Sequence, residues 1–383
     1  VSRRALTLGF AGVLAIALSS CGQGSGSNVV AIQAGGCSQG YPDEPCVSVT
    51  ICQPGTSSCQ TISNILLDTG SYGLRVFGSL LSVQLPLEGD GSGNKIAECV
   101  SYVQQSSDWG PVVVADIQLG GETASSVPMQ IIDAGFAQIP SSCQNPDTSP
   151  QNDGFNGILG VGLLVQDCGS SCSQSANNQV YYSCGSGGCG GIAIPLQDQV
   201  SNPIALLPVD NNGLIINFPA IPAQGVPTVQ GTMVLGIGTQ GDNSPAQVTV
   251  LPADQNSNFL TTFNGQTLQN SFIDSGTDGL FFPSSSIPQC NSSGQEAGFY
   301  CPNGLVNFSA IQMGANGSPQ VQVPFQVYNA QQALSSSNQV FSDLGGTNSN
   351  GFIWGFPFFI GRTIYFGLEG HSSSLGQGPF WAF

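Results

Sequence analysis

Two short stretches of this chain repeat one another. Ile65-Leu66-Leu67 runs into Asp68-Thr69-Gly70-Ser71, with Leu74 and Val76 resuming an alternating pattern. Much farther along, Phe272-Ile273 runs into Asp274-Ser275-Gly276-Thr277, followed by Leu280, Phe281 and Phe282. One Asp-[Ser/Thr]-Gly is unremarkable in a chain with 52 glycines. Two copies sharing an apolar approach and a following hydroxyl are far beyond chance. Each copy sets a carboxyl group at the end of a buried strand, on a turn that glycine permits. The repeat predicts two pseudo-equivalent halves.

Capping of a turn explains one such aspartate but poorly explains a matched pair. Two carboxyl groups held close and partly buried share one proton, because both cannot ionise cheaply. The ionised member then polarises a water while the protonated member donates to a carbonyl oxygen, which suits amide hydrolysis by direct attack of water. The hydroxyls of Ser71 and Thr277 are positioned to bond the outer carboxylate oxygens.

Composition sets the class of fold. With 52 Gly, 24 Pro and 7% charged residues in 383, the chain lacks helix-forming stretches and reads as many short strands joined by turns, an all-β protein. Five Lys and Arg against 22 Asp and Glu leave no basic surface for a phosphate backbone, so nucleic acid is excluded as a partner. The same imbalance suits an acidic or strongly buffered exterior, and serves solubility equally well.

Residues 1–20 read as an export signal: Arg3 and Arg4 precede an apolar run from Ala5 to Leu18. Leu18-Ser19-Ser20-Cys21 resembles a bacterial lipobox, which implies lipidation of Cys21 and an anchored protein on the extracytoplasmic side of the cell envelope. An ordinary signal peptide cleaved elsewhere is the alternative. Residues 21–36 read as a flexible tether, and with no Lys or Arg between Gly22 and Gly36 no basic prosegment is expected there. Twelve further cysteines in an exported chain predict six mostly local bridges. Spacing suggests Cys52–Cys59, Cys168–Cys172, Cys184–Cys189, Cys290–Cys301, Cys37–Cys46 and Cys99–Cys143. A zinc site on Cys168, Cys172, Cys184 and Cys189 is the rival reading.

On these motifs the chain resembles the pepsin-type, two-lobed aspartic peptidases, and also a group of bacterial lipoproteins that carry the same motifs without an assigned activity. Asn156-Gly157-Ile158-Leu159-Gly160 and Ile353-Trp354-Gly355 are similar to the family's strands beside the two catalytic turns. Gly231 to Gly236 resembles a strand near the lobe junction, and Thr363 to Leu368 a final strand-rich stretch. The resemblance implies a bilobed double β-barrel with a cleft between a first lobe at 37–240, enlarged by Cys-rich insertions, and a second at 241–383. It implies a monomeric endopeptidase acting on polypeptides with Asp68 and Asp274 as the dyad, supported by Thr69, Gly70, Ser71, Ser275, Gly276 and Thr277. No metal and no cofactor are expected.

Departures from the family fall near the substrate. Arg75 stands where a Trp is usual. Tyr102 is the candidate covering tyrosine, with Pro111 to Leu119 as the returning strand, but Val103 replaces an expected glycine and Trp109 is an alternative covering aromatic. These favour the competing class, a peptide- or glycan-binding protein on the same fold. Gly236 to Gly241 matches a dinucleotide fingerprint by letter only, with no helix to follow, and reads as a turn. His371 reads as a loop residue, and Pro379 to Phe383 as a packed last strand.

Overall fold

In a computed structural model, residues 28–37, 41–102, 106–291 and 294–383 are described. The first half supplies strands β1 (Val29–Ala34), β2 (Pro45–Cys52), β3 (Cys59–Asp68), β4 (Tyr72–Phe77), β5 (Lys95–Ser101), β6 (Ser107–Leu119), β7 (Glu122–Ile132), β8 (Gly157–Val161), β9 (Tyr181–Gly185) and β10 (Gly188–Gly191). The middle adds β11 (Gly213–Asn217), β12 (Val229–Leu235), β13 (Val250–Pro252), β14 (Phe259–Phe263), β15 (Gln266–Ile273) and β16 (Leu280–Phe282). Last come β17 (Val306–Met313), β18 (Gln320–Val327), β19 (Gly345–Thr347), β20 (Ile353–Trp354), β21 (Thr363–Gly367), β22 (Ser372–Ser373), β23 (Gly376–Gln377) and β24 (Phe380–Ala382).

These strands make an all-β, two-lobed molecule. In the first lobe β6, β7, β4, β8, β3 and β2 follow one another, and a further β6–β2 pairing closes them into a six-stranded barrel. Closure removes the sheet edges and packs Ile65, Leu67, Leu74, Val76, Val113, Met129 and Leu159 inside. The second lobe is a seven-stranded sheet in the order β18-β17-β14-β15-β20-β16-β19. Its core is aromatic: Phe282 lies 4.9 Å from Phe352, 5.1 Å from Phe263 and 5.4 Å from Phe325, ring to ring.

Both halves build their aspartate turn alike. β8 runs parallel to β3, with Leu66 opposite Ile158 and Asp68 opposite Gly160, and antiparallel to β4. β20 runs parallel to β15, with Ile273 opposite Trp354, and antiparallel to β16. Each aspartate therefore ends a strand whose outgoing partner has been displaced by an inserted third strand, and its turn points out of the sheet. The stretches 156–160 and 353–355 occupy the places that the resemblance implies.

Two predicted boundaries change. The tether expected over 21–36 stops short, because Val29–Ala34 is a strand with Ile32 and Ala34 fully buried; alternating apolar residues outweigh the glycines around them. A break at 240 also divides one continuous sheet. Strands β1, β12, β11, β21, β24 and β13 lie side by side beneath both lobes, so residues from either side of 240 share it. The apolar tail packs there as β24, with Trp381 1% exposed. Gly236 to Gly241 forms bends.

All six expected disulfides are formed, which takes the four cysteines of the zinc alternative out of reach of a metal and fits an oxidising compartment. No helix among the described residues is long and apolar enough to cross a membrane. The bridges differ in span: Cys99–Cys143 joins residues 44 apart, Cys168–Cys172 only 4. Loop-closure entropy makes the first worth about 4 kcal/mol and the second about 2 kcal/mol. Replacing Cys99 and Cys143 by Ser should lower the denaturation midpoint about twice as far as replacing Cys168 and Cys172, measured by equilibrium unfolding.

Candidate active site

The two turns meet face to face at the lobe seam. Asp68 Oδ1 accepts from Gly70 N–H at 2.7 Å and Oδ2 from the Ser71 hydroxyl. Asp274 Oδ1 accepts from Gly276 N–H at 2.9 Å and Oδ2 from Thr277 Oγ1 at 2.6 Å. The two carboxyl groups lie side by side: a Cβ on Gly276 would meet Asp68 Oδ1 and, at 3.4 Å, Asp274 Oδ1. Glycine is required on both sides for a spatial reason. A Cβ on Gly70 would lie 2.7 Å from Asp274 Cγ, and one on Gly276 would lie 2.9 Å from Asp68 Oδ1.

Asp68 is 8% exposed. Burial and then the charge of Asp68 push the Asp274 carboxyl well above the ordinary range. A donor set of one N–H and one hydroxyl per carboxyl, with one proton between the pair, gives an acid and a base in the same place.

Beneath the carboxyls the lobes are tied crosswise. Thr69 N–H donates to Ser275 Oγ at 3.1 Å and Ser275 N–H to Thr69 Oγ1 at 2.9 Å. Each hydroxyl then donates onward, Thr69 to Ile273 O at 3.0 Å and Ser275 to Leu67 O at 2.5 Å. Every polar atom in this buried square is satisfied by the other lobe, so the dyad spacing is fixed by the lobe contact. Thr69→Val keeps the shape but strands the Ser275 N–H and the Ile273 carbonyl, at a cost of about 1–3 kcal/mol. Equilibrium unfolding should show that loss, and Thr69→Ser should recover most of it.

The remaining predicted residues separate. Arg75 does not line the seam: it is 1% exposed and paired with Glu98 and Asp167. Trp109 is not a covering aromatic either. It is fully buried, edge to face with Tyr182 at 5.6 Å, and packs with Cys143, Phe136 and Ile139 in one cluster on the β5–β6 hairpin. The returning strand begins at Ser107 rather than Pro111, so Trp109 falls inside it. Tyr102 sits just after β5, half-buried, and donates to Asp108 Oδ2 at 2.8 Å. Burial and the charge of Asp108 raise its phenol well above the ordinary range, Arg75 pulls it back, and Asp68 adds a smaller push upward. Cys21 and Val103 lie outside the described residues.

One residue near the dyad escaped the sequence reading. Tyr72, directly after Ser71, hydrogen-bonds Ser257 Oγ in the second lobe at 2.8 Å, and its phenol is pushed up to about 12, chiefly by burial. Its position after the motif was the only available signal, because Ser257 is 185 residues distant.

Residues 24–383 match the model of a family described as a protein of unknown function (DUF3443). No curated protein matches the chain. Among solved structures, the crystal structure of an aspartic proteinase from Irpex lacteus aligns over 92% of this chain and 96% of its own, at 17% identity and a TM-score of 0.48.

Proposed function

We propose that this chain, which belongs to the DUF3443 family, is an aspartic endopeptidase that cleaves exposed polypeptide as a monomer. The observation that carries this reading is the facing pair Asp68 and Asp274, each carboxyl held by its own glycine N–H and hydroxyl in a two-fold arrangement. With one proton on the pair, the ionised carboxylate takes a proton from water as the water oxygen bonds to the scissile carbonyl carbon. The protonated carboxyl donates to the carbonyl oxygen, giving a tetrahedral diol. Proton transfer to the amide nitrogen and return of a diol proton to the dyad break the C–N bond and restore the starting state. Arg75, one of the departures that spoke for a binding-only protein, is buried and paired with Glu98 and Asp167.

The test is incubation of the purified chain with denatured protein from pH 3 to 8, with and without a transition-state-mimicking aspartic-peptidase inhibitor. Inhibitor-sensitive cleavage that rises below neutral pH is expected. Peptide binding without cleavage at any pH would transfer the assignment to the binding class.

Export and anchoring through Cys21 belong to the same proposal, supported by the lipobox-like tetrad and the oxidised cysteines. Because a single acyl chain binds membranes only marginally, multiple acylation is implied. Cys21→Ala should release the protein from the membrane fraction, and unchanged fractionation would remove the anchor from the proposal.

A further inference from the structure

The described residues contain three Lys or Arg side chains, and they are treated very differently. Lys95 is exposed, Arg362 is partly exposed, and Arg75 is enclosed. Burying a guanidinium is costly unless its donors are taken up and its charge is matched. Arg75 Nη1 donates to Tyr72 O at 2.7 Å; Nη2 donates to Glu98 Oε1 at 2.8 Å and to Asp167 Oδ2 at 2.9 Å.

The three acceptors belong to three different parts of the fold. Glu98 lies in the middle of β5, opposite Gly110 of β6 on one side and Tyr181 of β9 on the other. Asp167 precedes the Cys168–Cys172 loop and is held from its other side by the Tyr181 hydroxyl at 2.7 Å, which itself accepts from Val200 N–H. Tyr72 O belongs to the residue that leaves the Asp68 turn, and the Tyr72 side chain crosses to Ser257 in the other lobe.

Burial and then Glu98 raise Asp167 well above the ordinary carboxyl range, and Arg75 pulls it back. Gln130, also buried, donates to Glu98 O and Asp108 O and fixes the strands behind them.

Resting on the endopeptidase reading, we propose that Arg75 is a positioning residue for the Asp68 half of the dyad, holding the exit of its turn to β5 and to the Cys168 loop through the Tyr72 carbonyl. Sequence alone suggested a substrate contact; the geometry assigns a support. A purely structural ion cluster would change stability without changing the turnover of the folded protein, whereas a support for the turn changes kcat with little change in KM.

The test uses the full chain. Arg75→Lys keeps the charge but cannot serve three acceptors in the same planar geometry. Arg75→Met/Glu98→Gln/Asp167→Asn removes the cluster while leaving no unpaired buried charge. Both are expected to lower kcat on denatured protein about tenfold or more, with KM within about threefold of wild type. Both should also speed amide hydrogen exchange over 72–77 and 95–101 while leaving 266–273 unchanged. Wild-type kcat in either folded variant, or unchanged exchange over 72–77, overturns the proposal. Should both variants fail to fold, Asp167→Ala, which keeps Arg75 paired with Glu98, carries the same two readouts. If wild type neither cuts nor binds the inhibitor, the endopeptidase reading falls, and the exchange experiment alone decides whether Arg75 supports the turn.

Discussion

Asp274→Asn is expected to lower turnover of denatured protein about 10³-fold or more, with the fold intact. The amide occupies the same space and can still accept from Gly276 N–H, but it cannot exchange the proton that the pair must pass. Asp68→Asn should do the same, and the double variant should be no slower than either single one, because residues acting as a unit are not additive. Stability should move the opposite way. Asp274 is a buried carboxyl beside a second one, so a neutral replacement relieves desolvation and repulsion above the ordinary carboxyl pKa. A raised melting temperature at pH 7 together with lost turnover separates this from simple unfolding. Full proteolysis in either single variant would dismiss the dyad.

Stability itself should be greatest in acid and fall steadily between about pH 4 and pH 8. Among the described residues, Asp43, Asp167 and Asp274 are held well above the ordinary value of 3.8, Asp153 is pushed to about 8, Asp108 to about 7, and Asp278 and Asp343 to about 6. Burial is the first cause in each. A carboxyl whose pKa is higher in the folded state contributes fully below its unfolded value, and that contribution is lost as pH rises through the folded one. For Asp108, 1% exposed, the span from 3.8 to about 7 corresponds to on the order of 4 kcal/mol. Its carboxyl lies with those of Asp147 and Asp153, all within 4.8 Å, while Tyr102 and Arg75 offset part of the penalty. Asp90 runs the other way, lowered first by the Ser183 hydroxyl. Unfolding midpoints measured from pH 3 to 8 should show the fall, and Asp108→Asn should flatten it between pH 4 and 7. Midpoints that climb with pH would refute the assignment.

What was legible in the sequence was local. Each Asp-[Ser/Thr]-Gly-[Ser/Thr] turn encodes its own hydrogen bonds within three residues, from glycine N–H and from hydroxyl, so its geometry follows from the letters. Five of the six disulfides close spans of 11 residues or fewer, where proximity along the chain nearly decides the partner. What was not legible depends on distant chain. The partners of Arg75 lie 23 and 92 residues away, and nothing near it announces burial. Trp109 reads as an alternative covering aromatic until Tyr182, more than 70 positions later, and the segment around Cys143 pack against it. The Asp108, Asp147 and Asp153 cluster likewise joins a strand, a loop and a one-turn helix at Pro150–Asp153.

The shared sheet beneath the lobes also dictates an order of assembly. β1 reaches its partner only when Val29 meets Val234, and the same sheet takes β21, β24 and β13 on its far side. Contacts of such long sequence separation make folding slow, because loop-closure entropy is lost before the pairing is gained. The first barrel, β2 to β8, can close without any residue beyond 161. The seam square and the carboxyl pair wait for the turn at Asp274 and for Trp354, whose carbonyl accepts from Asp274 N–H. A chain in which only the first barrel has formed therefore carries one aspartate turn without its partner, and on the proposed endopeptidase reading activity waits for the second half to fold.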